Sequence, residues 1–139
     1  MRILGIDYGD ARTGIAITDA LNITAQGLET IQRNGSDKII LRRLDEILAE
    51  YEIDTIVVGM PLNLKGEKTV RAEVTEQFIH KLKCKYNKLE IVYVDERLTT
   101  VAAHKTMNFL DVNKNKKRDI VDTISAVYIL ESYINKNKW

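Results

Sequence analysis

Arg2-Ile3-Leu4-Gly5-Ile6-Asp7-Tyr8-Gly9-Asp10-Ala11-Arg12-Thr13-Gly14-Ile15-Ala16-Ile17-Thr18-Asp19 opens the chain with two short apolar runs, Arg2–Tyr8 and Gly14–Asp19, parted by a Gly-bounded turn. Each run is the length of a strand, and the short connection leaves no room for a crossover, so the pair reads as a β-hairpin. Leu28–Gln32 offers a third strand. Ser36 or Asp37 can cap a helix running through Tyr51, because Ile39, Ile40, Leu44, Ile47 and Leu48 recur at helical spacing. Thr55–Gly59 is β-branched and unbroken by polar residues, the pattern of a strand covered on both faces. A loop over Met60–Glu67 follows. Val70, Val74, Phe78 and Leu82 then step by four along a second helix. Glu90–Asp95 is a fifth strand, a third helix starts near Thr99 or Thr100, Asp111–Lys117 is a polar loop, and a last helix begins at about Arg118.

Strand–helix–strand alternation after a hairpin implies a mixed α/β sheet. The first three strands form an antiparallel part. The first, fourth and fifth form a parallel part, with helices on both faces. The chain has 139 residues, enough for one domain spanning residues 1–139 that buries roughly two-thirds of its unfolded surface. It is 45% hydrophobic and 29% charged, which excludes global disorder. One Cys and two His exclude a disulfide framework and a standard structural zinc site. No apolar run reaches the ~18 residues of a membrane span, and the polar start at Asp7 argues against a signal peptide. These features fit a cytoplasmic protein. The net charge of +1 hides an uneven distribution: residues 1–60 carry 6 basic against 10 acidic side chains, and residues 61–139 carry 15 against 10. Such a split can mark a phosphate-facing side, although Lys-rich surfaces are often merely solvated.

Three acids sit where burial alone does not explain them. Asp7 ends the first strand, Glu96 follows the last strand, and Asp122 lies near the start of the last helix. Parallel first, fourth and fifth strands would bring Asp7 and Glu96 out at one sheet edge, the carboxyl edge where open α/β sheets bind ligands. Carboxylates that meet in a partly dry crevice repel, and a divalent cation relieves the repulsion. Oxygen donors without Cys or His select a hard ion, Mg²⁺ or Mn²⁺. Singly, each acid has a plain structural alternative: Asp7 as a turn former, Glu96 as a surface residue, Asp122 as a first-turn acid favoured by the helix dipole. Asp119, three residues before Asp122, is either a further metal ligand or the cap of the last helix.

Basic residues surround these acids in sequence. Arg12 lies in the Gly9–Gly14 turn, and Lys65 lies in the Gly59–Gly66 loop that Lys68 and Arg71 trail. Both turns suit backbone and cation contact with phosphate. Arg97 adjoins Glu96 and either orients that carboxylate, meets a phosphate or forms a surface ion pair. Lys114, Lys116, Lys117 and Arg118 make a basic run, which is either a clamp on a nucleic-acid backbone or ordinary solvated surface. His80, His104 and Cys84 form no nucleophile–base arrangement. The aromatic residues are too few and scattered for a base-stacking platform.

Several blocks together resemble the YqgF family, the pre-16S ribosomal RNA nucleases also called Holliday-junction-resolvase-like. They are Gly5-Ile6-Asp7-Tyr8-Gly9 with Arg12, Gly14 and Ala16–Asp19; Gly59 and Pro61 with Asn63 and Gly66; Val94-Asp95-Glu96-Arg97-Leu98-Thr99-Thr100; and Val121-Asp122 with Ser125-Ala126 and Ile129-Leu130. The resemblance runs in order along nearly the whole chain and is most specific in the Asp95–Thr100 block. It implies a ribonuclease H-like fold, with Asp7, Glu96 and Asp122 as metal-binding catalytic carboxylates in a magnesium-dependent hydrolase. Ser125 stands where the family often has Ala, and Asp119 adds an acid. Two Mg²⁺ ions, or Mn²⁺, about 4 Å apart would activate water for in-line attack on phosphorus. The expected partner is precursor ribosomal RNA, followed by branched DNA, with ribosome-assembly particles a further candidate; the expected state is a monomer or weak homodimer without a membrane. Three rivals stand beside this reading. The Asp-x-Gly hairpin also occurs in actin-like and sugar-kinase ATPases, which need a second domain. A Holliday-junction endonuclease would act as a symmetric dimer. A non-catalytic RNA-binding assembly factor would keep its acids for structure.

Overall fold

A computed structural model describes residues 1–9, 11–32, 36–61, 69–95 and 114–136. Among these residues five strands and three helices follow in the order β1 (Arg2–Tyr8), β2 (Arg12–Thr18), β3 (Ala25–Gln32), α1 (Asp37–Glu50), β4 (Ile53–Met60), α2 (Val70–Lys85), β5 (Glu90–Asp95) and α3 (Lys114–Lys136). The strands lie side by side as β3-β2-β1-β4-β5. β1 pairs antiparallel with β2, and β2 with β3, whereas β4 runs parallel to both β1 and β5. The expected mixed sheet is therefore present, with β1 in its middle.

Strand alternation sorts the residues into two cores. Leu4, Ile6 and Tyr8 of β1 pack with Ile15, Ile17, Ile56 and Val58 under α1 and α2. Helix α1 contributes Ile40, Leu44 and Ile47, and α2 contributes Ala72, Phe78, Ile79 and Leu82. On the other face Ala16 and Val57 meet Ala126, Ile129 and Leu130 of α3, with Ile3, Val92 and Val94 packed around them. Glycine permits that second contact. A Cβ placed on Gly5 would lie 2.5 Å from Leu130 Cγ and 3.0 Å from the Ala126 carbonyl oxygen, and one on Gly27 would collide with Thr123 Cγ2. Backbone at both positions is thus what α3 rests upon.

The local start signals act as their chemistry requires. Ser36 is extended and its Oγ accepts the Lys38 N–H at 3.2 Å, and Asp37 adds a negative charge in the first turn of α1. Thr69 Oγ1 accepts the Ala72 N–H at 3.2 Å and donates to the Pro61 carbonyl at 3.0 Å, which ties the entry of α2 to the end of β4. In the first hairpin a side chain on Gly9 would strike the Arg12 carbonyl oxygen, so the turn needs glycine there.

Several boundaries differ from the expectation. β2 starts at Arg12, two residues before Gly14. β3 begins at Ala25, three residues early, because Ala25, Gln26 and Gly27 pair with Thr18, Ile17 and Ala16. β4 runs from Ile53 to Met60, beyond Thr55–Gly59 at both ends, with Ile53 paired to Arg2 and Met60 to Asp95. The largest difference is α3, which starts at Lys114, so the supposed loop Asp111–Lys117 is helical from Lys114 onward. Lys and Arg are good helix formers, and extending a helix already anchored downstream adds a hydrogen bond for each residue ordered. The expected third helix near Thr99 lies outside the described residues.

Candidate functional site

Asp7 follows Ile6 and precedes Tyr8, both buried under α1 and α2, so alternation turns it to the face of Gly5, beneath α3. It is half-buried. Its partner across the β1–β2 pair is Gly14, whose partner across β2–β3 is Thr30. Thr30 Oγ1 lies 3.0 Å from Thr123 Oγ1 of α3. This hydrogen bond, with the Gly27 and Gly5 contacts, sets where α3 crosses the sheet. Asp122 directly precedes Thr123 and stands one turn before Ala126, so the helix turn carrying Asp122 is anchored to the row of the sheet that carries Asp7.

The remaining predicted residues divide by location. Asp119 is the sixth residue of α3, which rules out the reading of it as the helix N-cap. Lys116, Lys117 and Arg118 belong to the first two turns of that helix rather than to a loop. Arg12 opens β2 at the same end of the sheet as Asp7. Glu96, Arg97 and Lys65 lie outside the described residues. Among the described residues no three His, Cys, Asp or Glu side chains converge as a metal cluster. No helix among them is long and apolar enough to cross a membrane. Cys84 is exposed, with its Sγ 3.6 Å from His80 Nε2.

One arrangement escaped sequence reasoning. On the α1/α2 face, Tyr8 holds the tip of β1 at three points. Its hydroxyl donates to Asp37 Oδ1 at 2.6 Å, its ring stacks on Phe78 with centroids 4.2 Å apart, and its carbonyl accepts from Arg71 at 2.7 Å. The Arg71 guanidinium also lies over the Tyr8 ring, 5.8 Å from its centroid. Lys81 completes the set with an ion pair to Asp37 Oδ2 at 2.8 Å. The strand end that presents Asp7 to one face is therefore clamped from the other by Asp37 at the start of α1 and by Arg71 and Phe78 of α2. The only sequence signal was the aromatic residue directly after Asp7, since Arg71 and Asp37 are far off in the chain.

A five-stranded mixed sheet with an acid at the end of its central strand, covered by a C-terminal helix, defines an α/β protein of the ribonuclease H-like kind. It aligns with Thermus thermophilus RuvC in complex with a Holliday junction substrate at a TM-score of 0.57, covering 98% of this chain and 95% of that one, at 12% identity. The family model described as "RuvX: Holliday junction resolvase" matches residues 1–136, and the chain belongs to this RuvX (YqgF) family. It is 52% identical over 136 residues to the "Putative pre-16S rRNA nuclease" of Ruminiclostridium cellulolyticum, covering 98% of this chain and 95% of that protein. The protein of the same name from Acetivibrio thermocellus is 47% identical over 135 residues, with 97% and 96% covered. The chain is thus a nuclease, a hydrolase of nucleic-acid phosphodiester bonds.

Proposed function

We propose that the chain cleaves precursor 16S ribosomal RNA in the cytoplasm, using Asp7, Glu96 and Asp122 as its catalytic carboxylates. The observation that carries the reading is Asp7 itself: a half-buried acid at the end of the central strand, on the face that α3 covers with the turn bearing Asp122. A carboxylate there is costly unless it is paired or holds a cation. The names of the relatives support the choice of substrate.

The donor set fits a hard divalent ion, because the acids offer oxygen and neither histidine nor cysteine stands beside them in sequence. Asp7, Glu96 and Asp122 would hold Mg²⁺ or Mn²⁺, two ions in the fullest form, with Asp119 as a further oxygen donor. When bound, such ions supply a water of lowered pKa and charge neutralisation at the leaving oxygen. The chain does the rest through position. The Tyr8 clamp fixes the height of Asp7, and Thr30 and Thr123 fix the helix turn of Asp122. Arg12, Lys65, Arg97, Lys116, Lys117 and Arg118 engage the phosphate backbone and set its register against the acids.

Cleavage of precursor ribosomal RNA, single-stranded RNA and DNA, and a four-way DNA junction, each with Mg²⁺, Mn²⁺ or chelator, tests the reading. Asp7→Asn is expected to lower RNA cleavage about a thousandfold or more without changing the circular dichroism spectrum. Full activity in this variant would overturn the assignment of Asp7. The family description favours a second reading, resolution of a four-way junction. That reading needs two sites on two strands and hence a dimer, so cleavage of the junction by a sedimenting dimer, with RNA left intact, would establish it instead.

A further inference from the structure

Tyr93 breaks the pattern of its strand. β5 lies at the edge of the sheet, and its residues alternate between α3, which receives Val92 and Val94, and α2, which receives Ile91. Tyr93 shares the side of Ile91 and pairs with Val58, which is fully buried, yet the tyrosine is 61% exposed. Its ring walls a cavity of about 260 Å³. Met60 and Ile79, both buried, lie under this cavity, and Glu76, His80 and Lys83 of α2 line its other side. Lys83 is exposed and has no ion-pair partner among the described residues. An apolar floor, an exposed aromatic face and a solvent-facing cation are the components with which proteins hold an unpaired base and its phosphate.

The position relative to Asp7 suits the same purpose. Tyr93 pairs with Val58, and Val58 with Ile6, so two strand spacings, about 10 Å, separate its backbone from the residue preceding Asp7. Among the described residues no strand pairs with the outer side of β5, the edge between the α2 face, which carries Tyr93, and the α3 face, which carries Asp7. The Glu76 carboxylate repels phosphate, which places the backbone on the Lys83 side and the base in the cavity.

We infer that the cavity between Tyr93 and α2 binds an unpaired nucleobase of the substrate strand, on the sheet face opposite Asp7 and several nucleotides from the one that is cleaved. The inference rests on the reading of the Asp7 edge as the catalytic centre, and it specifies a substrate with a single-stranded stretch within a few nucleotides of the scissile bond. It needs one stacking position, not the aromatic platform whose absence the sequence showed.

The test measures anisotropy of a labelled single-stranded RNA and of a blunt duplex of the same sequence, both in chelator so that no cleavage occurs. Tyr93→Ala is expected to weaken single-strand binding about 5- to 150-fold and to leave duplex binding unchanged. Tyr93→Phe, which keeps the ring, should stay within about twofold of the wild type, and Lys83→Ala should lower the salt dependence of single-strand binding. Wild-type affinity in Tyr93→Ala, equal losses for single strand and duplex, or a loss in Tyr93→Phe matching that in Tyr93→Ala would each overturn the inference. Binding in chelator does not depend on Asp7. Normal cleavage by Asp7→Asn alongside weak single-strand binding by Tyr93→Ala would therefore remove the catalytic reading and retain the base site.

Discussion

At the level of single residues, the site depends on the absence of side chains as much as on their presence. Gly5 lies two residues before Asp7 on the same face, and the Ala126 carbonyl and Leu130 side chain occupy the space where its Cβ would be. Gly5→Ala would force α3 away from β1 and move Asp122 relative to Asp7. The expected loss is about 1–3 kcal/mol in denaturant unfolding, the usual cost of overpacking a close-packed contact. Cleavage should fall further than stability predicts, and that difference is measured by assaying the variant well below its unfolding midpoint. The glycine was visible in the sequence as part of a strand followed by an acid. Its reason was not, because Leu130 lies 125 residues further along.

Secondary-structure elements show a conflict between stability and function in α3. Its first two turns contain Lys114, Lys116, Lys117 and Arg118, and no acid lies in the first turn. Positive charge at the positive end of a helix dipole is unfavourable, so this arrangement serves something other than helix stability. Lys116→Glu with Lys117→Glu is expected to raise the thermal midpoint slightly, since each acid near that end is worth about 0.3–1 kcal/mol. The same pair should weaken RNA binding and reduce its salt slope by about one for each phosphate that is no longer neutralised. Opposite signs in melting and binding measurements would identify the helix start as a nucleic-acid contact. At the other end of the sheet, α1 and α2 meet through Asp45, which accepts from Lys85 at 2.9 Å and from the Tyr86 hydroxyl at 2.7 Å. The Lys85 hydrogen bond, followed by that of Tyr86, lowers the Asp45 pKa. Burial, followed by Asp45, pushes the Tyr86 hydroxyl well above its ordinary value. A raised pKa means that the folded chain keeps this proton after the unfolded chain has lost it. The contribution is complete below about pH 10 and is lost as pH rises above it. Urea midpoints at pH 9 and pH 11 should fall more steeply in the wild type than in Tyr86→Phe.

The whole molecule divides its charge by function. The first sixty residues, with an excess of acids, supply Asp7, while the basic remainder supplies the cations along α2 and α3. A near-neutral total therefore conceals an uneven distribution along the chain, and non-specific affinity for nucleic acid should be modest and strongly salt-dependent. Metal binding to the folded state alone would raise stability by RT ln(1 + [L]/Kd), about 2.7 kcal/mol at a hundred times Kd. Mg²⁺ is expected to raise the melting temperature of the wild type, chelator to reverse the rise, and Asp7→Asn to abolish it. Differential scanning calorimetry measures this without any nucleic acid, so it tests the metal site separately from the reaction.

Periodicity and composition by themselves determined the hairpin, the buried fourth strand, the first two helices and the candidate acids, because these depend on the spacing of apolar residues within short windows. The Asp7 motif was legible for the same reason: a strand, an acid and a glycine turn are local. The start of α3 was not, since a Lys- and Asn-rich stretch reads as loop until the anchored helix behind it makes continued hydrogen bonding favourable. The cap alternative for Asp119 fails for the same reason, since the helix starts five residues before it. Three relations required the folded chain: the clamp of Asp37, Arg71 and Phe78 on Tyr8, the seating of α3 on Gly5 and Gly27, and the exposure of Tyr93 beside Lys83. Each joins residues distant in sequence through packing or hydrogen bonds, and only the tertiary structure brings such partners together.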